Sequence, residues 1–337
     1  MKKTAILIFL FFIFSCSESL VFESENIDFS KLHIQEPVLL SLFTPDTILN
    51  ITVGATQQAF SENSTPNAPL IKKATIENMG LSLIDTLYPS TVNSNQYVSN
   101  ITLSEGFAYK IELEFQEITQ NNLWAIDTIP GSSKIKSIEI TPKAKKVENN
   151  LLTLVRLEIL PSLLQELSFY EITVNTTITD SIDYMGLPLN PADFADCRYL
   201  YSDDPIIARE DYYPSPLQFD AFPPTHLYFK KQHYSTPFNF EFYYSPPSIS
   251  NTRISTENTK QQYFSHNATI ILKTISENYY KYQASRLSQF YSREGDPLYG
   301  VGEPVNVFTN INNGDGIFAA YATDSGKINH KGFIITD

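Results

Sequence analysis

The chain has 337 residues, 24 of them basic and 37 acidic, for a net charge of −13 at neutral pH. A surface of that sign repels phosphate backbones and anionic headgroups, which argues against nucleic acid as a partner and against membrane attachment through charge. The two cysteines are too few for a disulfide framework.

The chain begins with Lys2 and Lys3, ten apolar residues at 5–14, then Ser15 and Cys16. A basic start, a short apolar core and a small residue before the cut define a secretory signal, since spanning a bilayer takes about 20 residues. Ile13, Phe14, Ser15 and Cys16 resemble a lipobox, in which cysteine follows an aliphatic residue at −3 and a small one at −1; Phe14 is bulky for −2. Residues 1–15 are therefore expected to be removed and Cys16 to be lipidated, against the alternative of ordinary cleavage with Cys16 incidental. More than one acyl chain anchors stably, at about 0.8 kcal/mol per buried methylene. Cleavage takes two lysines and no acid, leaving 22 basic against 37 acidic residues, or −15 over 322 residues. Cys197 then stands alone, with the expected role of a small buried hydrophobe. Residues 16–35 mix serine with Glu18, Glu23 and Glu25 and read as a flexible tether.

Residues 36–141 form a run of alternating segments. The clearest has Phe107, Tyr109, Ile111, Leu113 and Phe115 interleaved with Ala108, Lys110, Glu112 and Glu114, the period of a half-buried strand, preceded by a turn at Glu105-Gly106. Further strands are expected at 38–43, 50–54, 74–78, 97–103, 124–128 and 136–140. Seven strands in about a hundred residues predict a β-sandwich of immunoglobulin or transthyretin type. The basic cluster Pro142, Lys143, Ala144, Lys145 and Lys146 marks the expected boundary, as a solvated linker to a second β-rich domain over 142–337. There, Val155, Leu157 and Ile159 alternate with polar residues, as do Tyr170, Ile172, Val174, Thr176 and Ile178. These two strands are expected to be neighbours in one sheet.

Residues 198–247 carry 14 tyrosines and phenylalanines and eight prolines. Proline at this density predicts short edge strands and ordered loops. Tyr212, Tyr213, Phe222, Tyr228, Tyr234, Tyr243 and Tyr244 are the candidate ligand-binding rings, for stacking on sugar or peptide, against the alternative that they pin loops over a sheet. Asp203, Asp204, Glu210, Asp211, Asp220, His226 and His233 lie in the same region. Paired carboxylates would suit glycoside hydrolysis if about 5–10 Å apart. An acidic chain brings carboxylates together by chance, however, and no HExxH, GxSxG, Walker loop or GxGxxG is present. No catalytic residue, metal site or cofactor is assigned. The segment NINNGDG has calcium-like residue types, but glycine at the third ligand position and Tyr321 in place of the final glutamate favour a turn.

One helix is predicted, over 277–294. Tyr280, Ala284, Leu287 and Tyr291 form one stripe, Ser276 caps it, Glu277 favours the first turn, and Gly295-Asp296-Pro297 stops it. The stripe is expected to pack on a sheet. Val305, Val307 and Thr309 alternate as a strand would, Asn313-Gly314 and Gly316 supply a tight turn, and 317–321 begins the next strand.

The order ISENYYKYQ, GDPLYG, EPVNVFTNINNGDGIFAAY resembles the carboxy-terminal signature of domain-of-unknown-function family 4249. LIKKATIEN, YVSNITLSEGFAYKIELE and AIDTIP sit where members carry comparable strands. The resemblance implies an outer-membrane lipoprotein of a Gram-negative phylum, of a kind often encoded beside TonB-dependent receptors. It also implies an envelope setting in which Ser17-Glu18 would be a minimal surface-export signal. The triplets Asp46-Thr47-Ile48, Asp85-Thr86-Leu87, Asp127-Thr128-Ile129 and Asp180-Ser181-Ile182 likewise resemble O-glycosylation acceptors of that phylum. The function expected on this basis is an accessory or ligand-capturing partner of a TonB-dependent receptor, held to membrane lipid through Cys16, with a glycan or peptide ligand. A surface hydrolase and a structural or adhesive envelope component are the alternatives.

Overall fold

The structure is a computed structural model describing residues 36–56, 69–116, 121–147, 150–182, 194–195, 200–207, 225–232, 236–246, 248–249, 260–293 and 306–336. The first half contains β1 (Pro37–Phe43), β2 (Ile48–Ala55), β3 (Ile71–Asn78), β4 (Leu83–Thr86), β5 (Tyr88–Pro89), β6 (Gln96–Thr102), β7 (Ala108–Phe115) and β8 (Leu123–Thr128). The second contains β9 (Lys134–Val147), β10 (Asn150–Leu160), β11 (Leu167–Ile182), β12 (Phe194–Ala195), β13 (Leu200–Tyr201), β14 (Leu227–Gln232), β15 (Phe238–Tyr244), β16 (Ser248–Ile249) and β17 (Lys260–Ile275). Helix α1 (Glu277–Arg293) and β18 (Asp315–Thr336) complete it. The protein is mainly β, as expected, and the predicted helix is present over Glu277–Arg293, where the described residues end.

One sheet runs through both halves, in the order β14-β11-β17-β18-β1-β2-β6-β5. Its first-half strands pack against the sheet β4-β3-β7-β8, burying Leu39, Ile51, Ile76, Ile111 and Leu123 between them. Its second-half strands pack against β13-β15-β10-β9, burying Tyr170, Ile172, Leu272, Val155 and Phe240. The alternation that predicted the strands is the alternation of burial: β7 reads intermediate and buried by turns along its whole length.

The 22-residue strand β18 joins the two sandwiches. Its first six residues pair in parallel with β1, Val38 facing Asp315 and Phe43 facing Ala320, and the rest pair antiparallel with β17. Phe318 enters the first core with its ring 4.5 Å from that of Phe43. Gly316 makes this junction possible. Its φ is +108°, and a Cβ there would lie 2.1 Å from the carbonyl oxygen of Leu39, so both the backbone angle and the close approach demand glycine.

Several expectations are corrected. The basic cluster is not a linker: residues 142–146 lie within β9, paired with β10. Lys143, at φ +53°, sits in a bulge where β9 carries extra residues against Leu152 and Leu154, which is how proline is accommodated there. The cores instead part between Ile129, in the first, and Ile135, against the second. Strands β10 and β11 are not neighbours in one sheet; the segment between them crosses from one sheet of the second sandwich to the other. The short edge strands expected of the proline-rich segment do form: β13 and β14 end their sheets, and β15 has partners on both sides only at Tyr243 and Tyr244, with Pro237 and Pro246 standing outside it.

The strand expected from Val307 and Thr309 does not form; Val305 lies outside the described residues. Side chains hold this segment in place of a ladder. Asn310 donates to the carbonyls of Phe318 (2.7 Å) and Ile126 (3.3 Å) and accepts from the Phe318 amide (3.0 Å). The Ser285 hydroxyl accepts from the Phe308 amide at 2.8 Å.

Candidate functional site

Helix α1 follows β17 after one residue and lies on the face of the long sheet that neither sandwich core uses. Seventeen residues make it about 25 Å long. Ser276 caps it, its hydroxyl accepting from the Tyr279 amide at 3.1 Å. Tyr279, Tyr280, Ala284 and Leu287 pack against Phe169, Tyr228, Ile275, Ile317, Ala319 and Tyr321. This is the packing expected for the stripe; the side chain of Tyr291 lies outside the described ones.

A carboxylate sits beneath this helix. Glu171, on β11, is 1% exposed. Its Oε2 accepts from Lys273 Nζ at 2.8 Å and from the Tyr279 hydroxyl at 3.0 Å; its Oε1 accepts from the Tyr228 hydroxyl at 3.3 Å and lies 3.6 Å from His226 Nε2. Lys273 also stands 5.2 Å from the centre of the Tyr321 ring. The register explains the convergence: Tyr228, Glu171 and Lys273 face one another across β14, β11 and β17. Burial pushes both phenols up, and the Glu171 charge pushes the same way, so they remain hydrogen-bond donors at any physiological pH. Burial holds the His226 imidazole below its usual value, with Lys273 and Arg286 acting in the same direction and Glu171 opposing. His226 and Lys273 reach solvent, at 43% and 23% side-chain exposure, so the cluster has an open edge.

From that edge the same sheet face continues away from the helix in three rows, set by the pairing of β11, β17 and β18. Thr173, Ile271 and Ser325 form the first, Asn175, Thr269 and Lys327 the second, Thr177, Asn267 and Asn329 the third. Each of these nine side chains is exposed or half-buried.

A second buried carboxylate lies at the start of the helix. Asp127 on β8 accepts from the Ala320 amide at 2.7 Å and the Asn278 side-chain amide at 2.9 Å, with Ser276 and the Thr128 amide as further donors. Burial outweighs these donors and pushes its pKa up to about 7. The bonds tie the first sandwich to α1 and β18.

The rings and acids singled out from sequence are dispersed. Tyr228 is buried beneath the helix, bonded to Glu171. Tyr244 is buried in the second core, its hydroxyl 2.9 Å from His266 Nε2. Neither presents a face for stacking. Tyr243 is half-buried beside Tyr201, with Lys145 5.3 Å from its ring centre. Tyr212, Tyr213, Phe222 and Tyr234 lie outside the described residues, as do Cys16, Cys197, Glu210, Asp211, Asp220 and His233. Asp203 pairs with Lys145 at 2.8 Å and accepts from the Tyr201 hydroxyl, and Asp204 accepts from the Ile206 amide at 3.0 Å, so both serve a turn beside β13. Glu171, Lys273 and Tyr279 were not singled out for function from sequence, and Asp127 was named only within the triplet Asp127-Thr128-Ile129. The available signal was that an aromatic helix following β17 must cover a sheet face, turning the outward-facing Glu171 and Lys273 inward.

Two β-sandwiches sharing one continuous sheet, with helix α1 clamped across its outer face, define the class of protein. The model of the family described as "Domain of unknown function (DUF4249)" matches residues 26–327, and the chain belongs to that family. No curated protein matches it. Among solved structures it is similar to a DUF4785 family protein from Legionella pneumophila, at 8% identity over 68% of this chain and 51% of that one, with a TM-score of 0.23. A β-glucuronidase from Parabacteroides merdae is similar at 9% identity over 73% of this chain and 23% of that one, with a TM-score of 0.21. An alpha-2-macroglobulin from Escherichia coli is similar at 11% identity over 72% and 15%, with a TM-score of 0.17. The chain thus spans about half the length of the first and under a quarter of the other two, and likenesses of this order carry no argument about activity.

Proposed function

We propose that the protein is a lipid-anchored component of the outer membrane that serves a TonB-dependent receptor as an accessory or ligand-capturing partner in nutrient uptake. The observation that carries this reading is the sequence Ile13-Phe14-Ser15-Cys16, followed within ten residues by the start of the family domain at residue 26. A cysteine so placed gains acyl chains, and the acidic domain that follows would otherwise have little affinity for anionic lipid. The receptor partnership rests on the gene neighbourhoods usual for the family. Capture is favoured over hydrolysis by what the described acids do: Asp203 and Asp204 are committed to a turn, and Glu171 to Lys273 and two phenols, while Glu210, Asp211 and Asp220 lie outside the described residues. A hydrolase would need two carboxylates about 5–10 Å apart with room for a substrate between them.

Co-purification from native outer membranes tests it. A tagged copy extracted in mild detergent should bring down a β-barrel receptor with a TonB box. Recovery of the protein from the outer membrane without any barrel would remove the partnership, and recovery from the soluble fraction would remove the reading altogether.

A further inference from the structure

We propose that the outer face of β11, β17 and β18 beyond the helix binds an acidic polysaccharide, a chain whose sugars carry carboxylates as uronic acids do. Sugar hydroxyls are recognised by groups that both donate and accept, and the three rows of this face present them: Asn175, Asn267, Thr269 and Ser325 project from adjacent strands in register. Neighbouring strands stand about 4.8 Å apart and alternate residues about 7 Å apart along a strand, so the groups form a regular grid. Ile271 lies in the middle of the first row, half-buried, and supplies an apolar spot for the C–H face of a ring. The backbone of β17 is paired on both sides along these rows, so the middle of this face meets a ligand with side chains alone.

Charge decides the class of saccharide. The chain as a whole carries −13, yet none of the nine side chains of the three rows is acidic. Lys327 is exposed in the second row, and Arg286 is exposed on the helix near His226 and Tyr228. Among the described side chains, the carboxylate next in register to these rows is Glu171, which is buried and already engaged by Lys273. A positive island on an acidic molecule concentrates an anionic ligand there and repels it elsewhere.

This inference rests on the reading of the protein as a ligand-capturing envelope component, but it fails separately, because binding is measured on purified protein without receptor or membrane. The experiment is affinity electrophoresis of the full chain in detergent, through gels containing polygalacturonate, dextran or polyglutamate. Polygalacturonate should retard the protein, and neither dextran nor polyglutamate should match it. Lys327→Glu and the pair Asn175→Ala with Asn267→Ala should each weaken the retardation about tenfold with unchanged circular dichroism. Lys72→Glu, on the first sandwich, should leave it as it is. Failure of polygalacturonate to retard the protein, equal retardation by polyglutamate, or indifference to both sets of changes would overturn the assignment.

Discussion

Two carboxylates are buried at the helix, one at each sandwich, and the protein treats them differently. Asp127, from the first sandwich, is held by amides and hydroxyls, with no cation among its hydrogen-bond donors. Glu171, from the second, has an ammonium group at 2.8 Å and two phenols besides. Neutral donors satisfy geometry but do not repay the desolvation of a charge, so burial dominates at Asp127. At Glu171 the lysine supplies the opposing charge, and stability there depends on that partner staying in place. The junction between the sandwiches is therefore the pH-dependent contact and the helix seat on the second sandwich the charge-paired one.

The largest expected effect is on the first side of this contrast. Because the Asp127 pKa of about 7 lies above the ordinary carboxylate value of 3.8, the native state keeps a proton that the unfolded chain has already released. Stability from this group is greatest at the acid end of that window and falls as pH rises through 7, by up to about 4 kcal/mol. Asp127→Asn keeps an acceptor for the Ala320 amide and removes the titration. Denaturant unfolding of both proteins from pH 4 to 8 should give a difference curve that slopes across this window, and parallel curves would refute the role.

On the second side, Lys273→Met strands a buried carboxylate and should destabilise by about 3 kcal/mol, whereas Glu171→Gln combined with Lys273→Met should restore part of that loss. Urea midpoints of the single and double variants measure the coupling; additive losses would mean that the pair is not interacting. Tyr279→Phe removes one donor to Glu171 and leaves the ring in place, at a cost of about 1 kcal/mol in the same assay. Smallest, Ser276→Ala should lose a few tenths to 1 kcal/mol through the helix cap, while also raising the Asp127 pKa further, because Ser276 is one of its donors. An unchanged pH profile in that variant would separate the cap from the junction.

How far the sequence could be read depended on the range of the interaction involved. Local alternation located β7, β8 and the start of β18, and the spacing of Tyr280, Ala284 and Leu287 located the helix, because each rests on neighbours within one element. The pairing of β1 with β18 joins residues near opposite ends of the chain and leaves no local trace beyond Gly316. The passage of β9 through Lys143 and Lys145 was hidden because a basic run reads as solvated until its pairing with β10 is known. Glu171 was legible as the polar side of a strand and illegible as a buried acid, since only the helix over it, more than a hundred residues later, takes it out of water. Tyr228 and Tyr244 show the same limit: an aromatic-rich segment announces packing but not which side of the sheet each ring takes.

The proposed role stands or falls on the modification of one residue. Cells expressing the full chain, fed radiolabelled palmitate, should yield a labelled protein in the membrane fraction, and the Cys16→Ser version should be unlabelled and mislocalised. An unlabelled wild-type protein, together with a Cys16→Ser protein that matures and fractionates identically, would contradict it.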